Sequence, residues 1–165
     1  MQETNYLYPE DKKECYQLLN EQLKALLEDE TYVIPNLSNA SALLGGALTQ
    51  INWVGFYLIH KEELLLGPFQ GKPACIHIAI GKGVCGTTVS QDMTQLVADV
   101  HSFPGHIACD SASRSEIVVP IHADGRIVGV LDIDSPEINR FDQIDKEELE
   151  KFVHILEQGC HWSRI

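Results

Sequence analysis

Basic side chains are scarce: 12 Lys and Arg stand against 24 Asp and Glu, a formal net charge of −12. Such a surface repels a phosphate backbone and an anionic bilayer alike, which excludes nucleic acid and membrane surfaces as partners. Long apolar runs are missing too, and none approaches the roughly 20 residues that cross a bilayer. The opening stretch from Met1 to Asp11 has no basic segment followed by an apolar one, so a secretory signal is not expected and a cytoplasmic location follows. There is no C-x-x-C pair, and the five cysteines are an odd number. In a reducing compartment that pattern argues for free thiols rather than a framework of structural bridges. Without internal repeats or low-complexity segments, the 165 residues read as one domain, 1–165, large enough to bury its own core.

Apolar periodicity then orders the chain. From Pro9 to about Glu30, Tyr16, Leu19, Leu23, Leu26 and Leu27 recur at helical spacing, with Glu10 and Asp11 suited to a first turn. A second helix is expected from a cap at Asn36 or Ser38 through Leu43 and Leu44 towards Asn52. These two helices fill 1–50. Strand-like runs follow over 51–135: Trp53 to His60, Leu64 to Gly67, Ala74 to Ile80, Gln95 to Val100, Glu116 to His122 and Arg126 to Asp134. Asp124-Gly125 is a hairpin signal between the last two. A final amphipathic helix, within 141–162, aligns Leu149, Phe152, Val153 and Leu156. Helices therefore flank a mostly antiparallel sheet, an α/β arrangement of the α+β kind. His101 to Ser115 has no period, and a loop that long in a small domain is usually functional.

Gly81-Lys-Gly-Val-Cys-Gly86 fits a dinucleotide fingerprint only in its glycines, since Ser90-Gln91-Asp92 leaves room for about two helical turns and the parallel βαβ order is missing. A tight turn into a short helix is the better reading. It would place Cys85 near a helix N-terminus with Lys82 close by, an arrangement that lowers a thiol pKa. Cys109 lies instead in the polar loop, open to substrate, so the residues alone divide the nucleophile role between the two. Cys75, Cys85, Cys109, His77, His101 and His106 lack zinc-ligand spacing, and no metal is expected. A Cys109 hydrolase with His101 or His106 as base has no local signature either. Asp132 and Asp134 are two apart, so a strand sends both to one face and Leu131 and Ile133 to the other. Carboxyls crowded in a dry site push each other's pKa up, leaving one protonated beside an ionised neighbour. Trp53 and Tyr57 read by default as core. Cys15 and Cys160, in the terminal helices, read as small packed hydrophobes.

Taken together, Asn52-Trp-Val-Gly-Phe-Tyr57, Gly67-Pro-Phe-Gln-Gly-Lys-Pro-Ala-Cys75, Gly81 to Gly86, the block from Asp99 to Pro120 and Gly129-Val-Leu-Asp-Ile-Asp-Ser135 resemble the free methionine-(R)-sulfoxide reductases, single GAF-domain enzymes. That resemblance implies a six-stranded antiparallel sheet flanked by helices. It implies Cys109 as catalytic cysteine, with Cys75 and Cys85 as further redox cysteines and Cys75 the favoured resolving partner. Glu116, Asp132 and Asp134 would line the substrate pocket, with Trp53 and Tyr57 as its aromatic wall. No bound cofactor is implied; the reductant would be an external dithiol, thioredoxin, fed by NADPH-dependent thioredoxin reductase. Free methionine-(R)-sulfoxide and thioredoxin are then the expected partners, and a second copy of the chain is a candidate one. The competing reading is a GAF-type small-molecule or redox sensor without turnover.

Overall fold

The structure is a computed structural model that describes residues 8–107 and 109–164. Residues 1–7, on which most of the signal-sequence expectation falls, lie outside the described residues, as do Ala108 and Ile165. Helix α1, Lys12–Leu27, starts where the Asp11 carboxylate accepts the Glu14 N–H at 2.9 Å. That cap sets the helix start immediately after Glu10-Asp11, the pair expected to lie inside its first turn. Its buried stripe is Cys15, Tyr16, Leu19, Leu23 and Leu27. Helix α2, Val33–Ala47, corrects the expected cap: it begins after Tyr32 with no side-chain cap at all. Pro35 falls in its first turn, where a missing N–H costs nothing. Asn36 is instead buried, its amide donating to the Glu30 carbonyl at 2.9 Å, and Ser38 donates to Ile34 O.

Six strands follow: β1 Trp53–His60, β2 Glu63–Gly71, β3 His77–Ala79, β4 Gln95–Val97, β5 Ser115–Ala123 and β6 Arg126–Ser135. Every pairing is antiparallel, in the order β3-β2-β1-β6-β5-β4. Strand β2 runs on through the expected break at Gly67-Pro68, because a register shift opposite Gly55 and Tyr57 absorbs one extra residue there. Pro68 also needs no donor on its other side, where β3 pairs only with Glu63, Leu64 and Leu65. The expected strands at Ala74 to Ile80 and Gln95 to Val100 shrink to three residues each, the second followed by a 3₁₀ turn over Val100–Ser102. Helix α3, Gly83–Gln91, is the short helix foreseen after the glycines, and α4, Gln143–Gly159, closes the chain.

Strand alternation divides the sheet's two faces. Val54, Phe56, Ile117, Val119, Leu131 and Ile133 join α1, α2 and α4 in one core. Tyr57, Val118, Val130 and Trp53 face the other way, against α3. No helix among the described residues is long and apolar enough to cross a membrane.

One polar cluster ties the helical layer together. Asp145, fully buried, accepts the Asp142 N–H in a capping box, the Tyr16 hydroxyl at 2.7 Å and the Lys12 ammonium at 2.8 Å. Removing one member of such a network strands the others without water. Asp145→Ala is therefore expected to lower unfolding free energy by about 3 kcal/mol. Urea midpoints at constant m would read it, and a change below about 1 kcal/mol would contradict it.

Candidate active site

Pairing across the three central strands assembles the site. Glu116 on β5 stands opposite Asp134 on β6, which stands opposite Trp53 on β1; in the next row Val118, Asp132 and Gly55 align. Period two therefore sends Glu116, Asp132 and Asp134 to the α3 face, with Trp53 and Tyr57 beside them. Gly55 has to be glycine, because a Cβ there would sit 2.3 Å from the Phe69 Cβ and 2.8 Å from the Trp53 ring. The indole thus lies across the strand, stacked on Phe69 at 5.2 Å and Tyr57 at 5.9 Å between ring centroids. These two aromatics are core residues and line the cavity at once.

Two irregular segments form the rim, each held by a side chain from the sheet. The Tyr57 hydroxyl donates to the Cys75 carbonyl at 2.8 Å, and the Trp53 Nε1–H to the Lys72 carbonyl at 3.1 Å. On the other side the Asn52 amide donates to Asp110 Oδ2 and Ser113 Oγ, each at 3.1 Å. The Cys75–Cys109 disulfide joins the two segments, with Cα atoms 5.7 Å apart across a sequence separation of 34. Cys109 is exposed and Cys75 half-buried. Beneath the rim is a cavity of about 50 Å³, room for a few waters or one small molecule and not for a polypeptide segment.

The cavity floor is acidic and dry. Burial pushes the Asp132 carboxyl up to about 6, although hydrogen bonds from Glu116 and Cys85 pull it back down. Burial, together with the Asp132 and Asp134 charges, raises Glu116 well above the usual carboxyl range. Asp134 is raised likewise by burial and by Asp132 and Asp110, against a hydrogen bond from Ser113. Burial and mutual repulsion thus act on all three carboxyls in the same direction, against their ionising together. Asp132 Oδ1 is buried without a hydrogen-bond partner.

The expected low-pKa thiol at Cys85 is corrected here. Burial, with the charges of Asp132, Glu116 and Asp134, drives Cys85 well above the ordinary thiol range, and its S–H donates to Asp132. Its own helix N-terminus is outweighed by the sheet it faces. Cys85, Glu116 and Asp132 offer ligand atoms within 4.8 Å of one another and are the one group of described residues spaced to hold a metal ion. Of the histidines weighed for zinc, His77 pairs with Glu63 on the surface, while His106 lines the cavity and meets His101 edge to face at the loop. Cys15 and Cys160 are buried and free, as packed hydrophobes would be. Asn52 and Ser113 escaped the sequence reading as site residues; both lie in quoted motifs, yet neither type carries a chemical signal of its own. Lys72 also lines the cavity unforeseen.

The chain is similar to known proteins over most of its length. The GAF domain family matches residues 14–159. The free methionine-R-sulfoxide reductase of Escherichia coli is 51% identical, over 90% of this chain and 90% of its own. Among solved structures, fRMsr of Staphylococcus aureus in complex with substrate is 62% identical, with TM-score 0.84, covering 87% of this chain and 94% of that one. The free methionine-R-sulfoxide reductase of Neisseria meningitidis, in complex with its substrate, is 43% identical with TM-score 0.92, covering 96% of each chain. Likeness of this extent, over nearly the whole domain and together with a dry acidic pocket under a cystine, places the chain in the GAF-domain family, among the free methionine-R-sulfoxide reductases.

Proposed function

We propose that the chain reduces free L-methionine-(R)-S-oxide to methionine in the cytoplasm, with Cys109 as nucleophile, Cys75 as resolving cysteine and thioredoxin as reductant. The observation that carries this reading is the Cys75–Cys109 bridge over a cavity whose floor gathers Glu116, Asp132 and Asp134 in a dry site that raises all three carboxyls. In the reduced protein the Cys109 thiolate attacks the sulfoxide sulfur while Glu116 or Asp134 gives its proton to the oxygen. Methionine leaves, and the oxygen stays on Cys109 as a sulfenic acid. The Cys75 thiol displaces that oxygen as water, which forms the disulfide, and an external dithiol reduces it by exchange at the exposed Cys109. The free Oδ1 of Asp132 takes the α-ammonium of the substrate, and the Trp53 and Tyr57 rings pack its thioether arm.

Reduced protein with excess dithiothreitol is expected to release many equivalents of methionine from the R isomer of the free sulfoxide and none from the S isomer. A protein that consumes one equivalent of oxidant and stops is a sensor, and that result would reject the reading.

A further inference from the structure

Cys85 is the cavity-lining thiol that the mechanism above leaves unused, and it is 4% exposed. It sits in the first turn of α3, which packs over β5 and β6. Glu116 on β5 and Asp132 on β6 reach it from the sheet, each 6% exposed. The Cys85 sulfur and one oxygen from each carboxyl lie within 4.8 Å of one another. Three elements far apart in the chain thus bring a thiol and two carboxyls to one point, which is why the sequence shows no ligand spacing and predicts no metal.

The independent mark of a ligand is Asp132 Oδ1, buried in the same cavity with no hydrogen-bond partner among the described residues. An open acceptor in a dry site asks for a cation or a donor from outside the protein. A substrate ammonium would satisfy that oxygen alone, whereas a metal ion engages all three side chains. Burial raises Cys85, Glu116 and Asp132 alike, and a dication offsets the charges they form. Ligand chemistry selects the ion: a thiolate with two carboxylates suits the zinc class, whereas magnesium and calcium take oxygen ligands alone. Three protein ligands leave a fourth tetrahedral position, and the cavity has room for the water that would fill it.

We propose that Cys85, Glu116 and Asp132 form a binding site for a zinc-class divalent cation, and that the bound ion blocks the substrate. On binding, the Cys85 S–H bond breaks, its electron pair goes to the metal and its proton to solvent, with no change of oxidation state; a carboxyl that holds a proton loses it in the same way. The ion stands on Asp132 Oδ1, the oxygen assigned above to the substrate ammonium, so cation and substrate exclude each other. Binding uses no disulfide cysteine and stands apart from the reductase reading; the blocking alone rests on that reading.

The disulfide form, in thiol-free buffer, is titrated with Co²⁺ as a spectroscopic substitute for Zn²⁺. About one equivalent is expected to give a thiolate-to-cobalt charge-transfer band that Zn²⁺ abolishes and excess Mg²⁺ does not. Cys85→Ala removes the band, and the Cys15→Ala and Cys160→Ala proteins keep it unchanged. Glu116→Gln and Asp132→Asn, which preserve side-chain shape and carry the test if Cys85→Ala fails to fold, keep the band and weaken binding about 100-fold each. Pre-reduced, desalted protein then makes a single turnover of free methionine-(R)-sulfoxide. Zn²⁺ is expected to slow it about tenfold at low substrate, with the rate restored by saturating substrate and the effect lost in Cys85→Ala. No band, a band that survives in Cys85→Ala, or undiminished affinity in both carboxamide variants would overturn the site. Binding without loss of rate, loss of rate that saturating substrate does not relieve, or loss that persists in Cys85→Ala would overturn the blocking. A protein that binds Zn²⁺ here yet makes no methionine in its absence keeps the site and loses the reductase reading, and the blocking with it.

Discussion

Cys109→Ser protein is expected to release methionine at least about 1,000-fold more slowly than the parent chain, whatever reductant is supplied. A serine hydroxyl is too weak an acid to become an anion near neutral pH, and its oxygen is a far poorer nucleophile towards sulfur than a thiolate. Cys75→Ser should behave differently, and the contrast carries the mechanism. On the proposed mechanism the first chemical step needs only Cys109, so this variant should release about one equivalent of methionine per chain and then stall as a sulfenic acid, trappable by dimedone. On the proposed mechanism, turnover supported by thioredoxin falls about 100-fold, since the Cys75–Cys109 disulfide proposed as its target no longer forms. Cys85 is poorly suited to replace it: its thiol is buried on the floor, protonated, and committed to Asp132, whereas exchange requires a thiolate. Undiminished thioredoxin-supported turnover by Cys75→Ser would make Cys85 a resolving residue after all.

That demotion of Cys85 also marks where a linear reading runs out. What was legible was local. The β5–β6 hairpin follows from Asp124-Gly125 between two alternating runs, and the turn falls there, with φ of 52° and 74° at its two residues. Leu131 and Ile133 fall in the helical core and Asp132 faces the cavity because strand period is strict once β6 is placed between β1 and β5. Helix α4 keeps its stripe of Leu149, Phe152, Val153 and Leu156. Helix α2 misled because its start carries no capping side chain, and Asn36, the apparent cap, lies inside the helix with its amide turned to the Glu30 carbonyl just before it and to Cys160 Sγ. Cys85 misled for a similar reason. A helix N-terminus and Lys82 are its sequence neighbours, but the acids that decide its pKa arrive from β5 and β6, more than thirty residues further on. The separation of 34 between Cys75 and Cys109 likewise has no local signal, and only the family resemblance favoured that pair.

Asp132→Asn should cost the enzyme most of its substrate binding and yet make the fold more stable. The Asp132 pKa, pushed up to about 6, exceeds its ordinary value near 3.8, so the folded state holds this proton more tightly than the unfolded chain does. Below about pH 4 the group is protonated in both states and contributes no penalty; between about 4 and 6 the unfolded chain ionises first, and above about 6 the cost is fully present. At about 1.4 kcal/mol per pKa unit the burden at pH 7 is about 2–3 kcal/mol. Asparagine keeps the shape and the acceptor oxygen while removing the charge. The Tm of Asp132→Asn is therefore expected to exceed that of the parent most at pH 7, with the gap closing towards pH 4; a variant less stable at pH 7 would refute the assignment. Activity runs the other way. The ionised form is the one that holds an ammonium group, so kcat/KM of the parent chain should fall as pH drops through about 6. In Asp132→Asn that acid limb disappears and kcat/KM at pH 7 falls about 100-fold, chiefly through KM, because a buried charge-assisted bond is lost. An acidic floor that costs stability and is retained nonetheless is what a site selected for binding a cation would show: charges left partly unpaired in the empty protein so that the substrate can complete them.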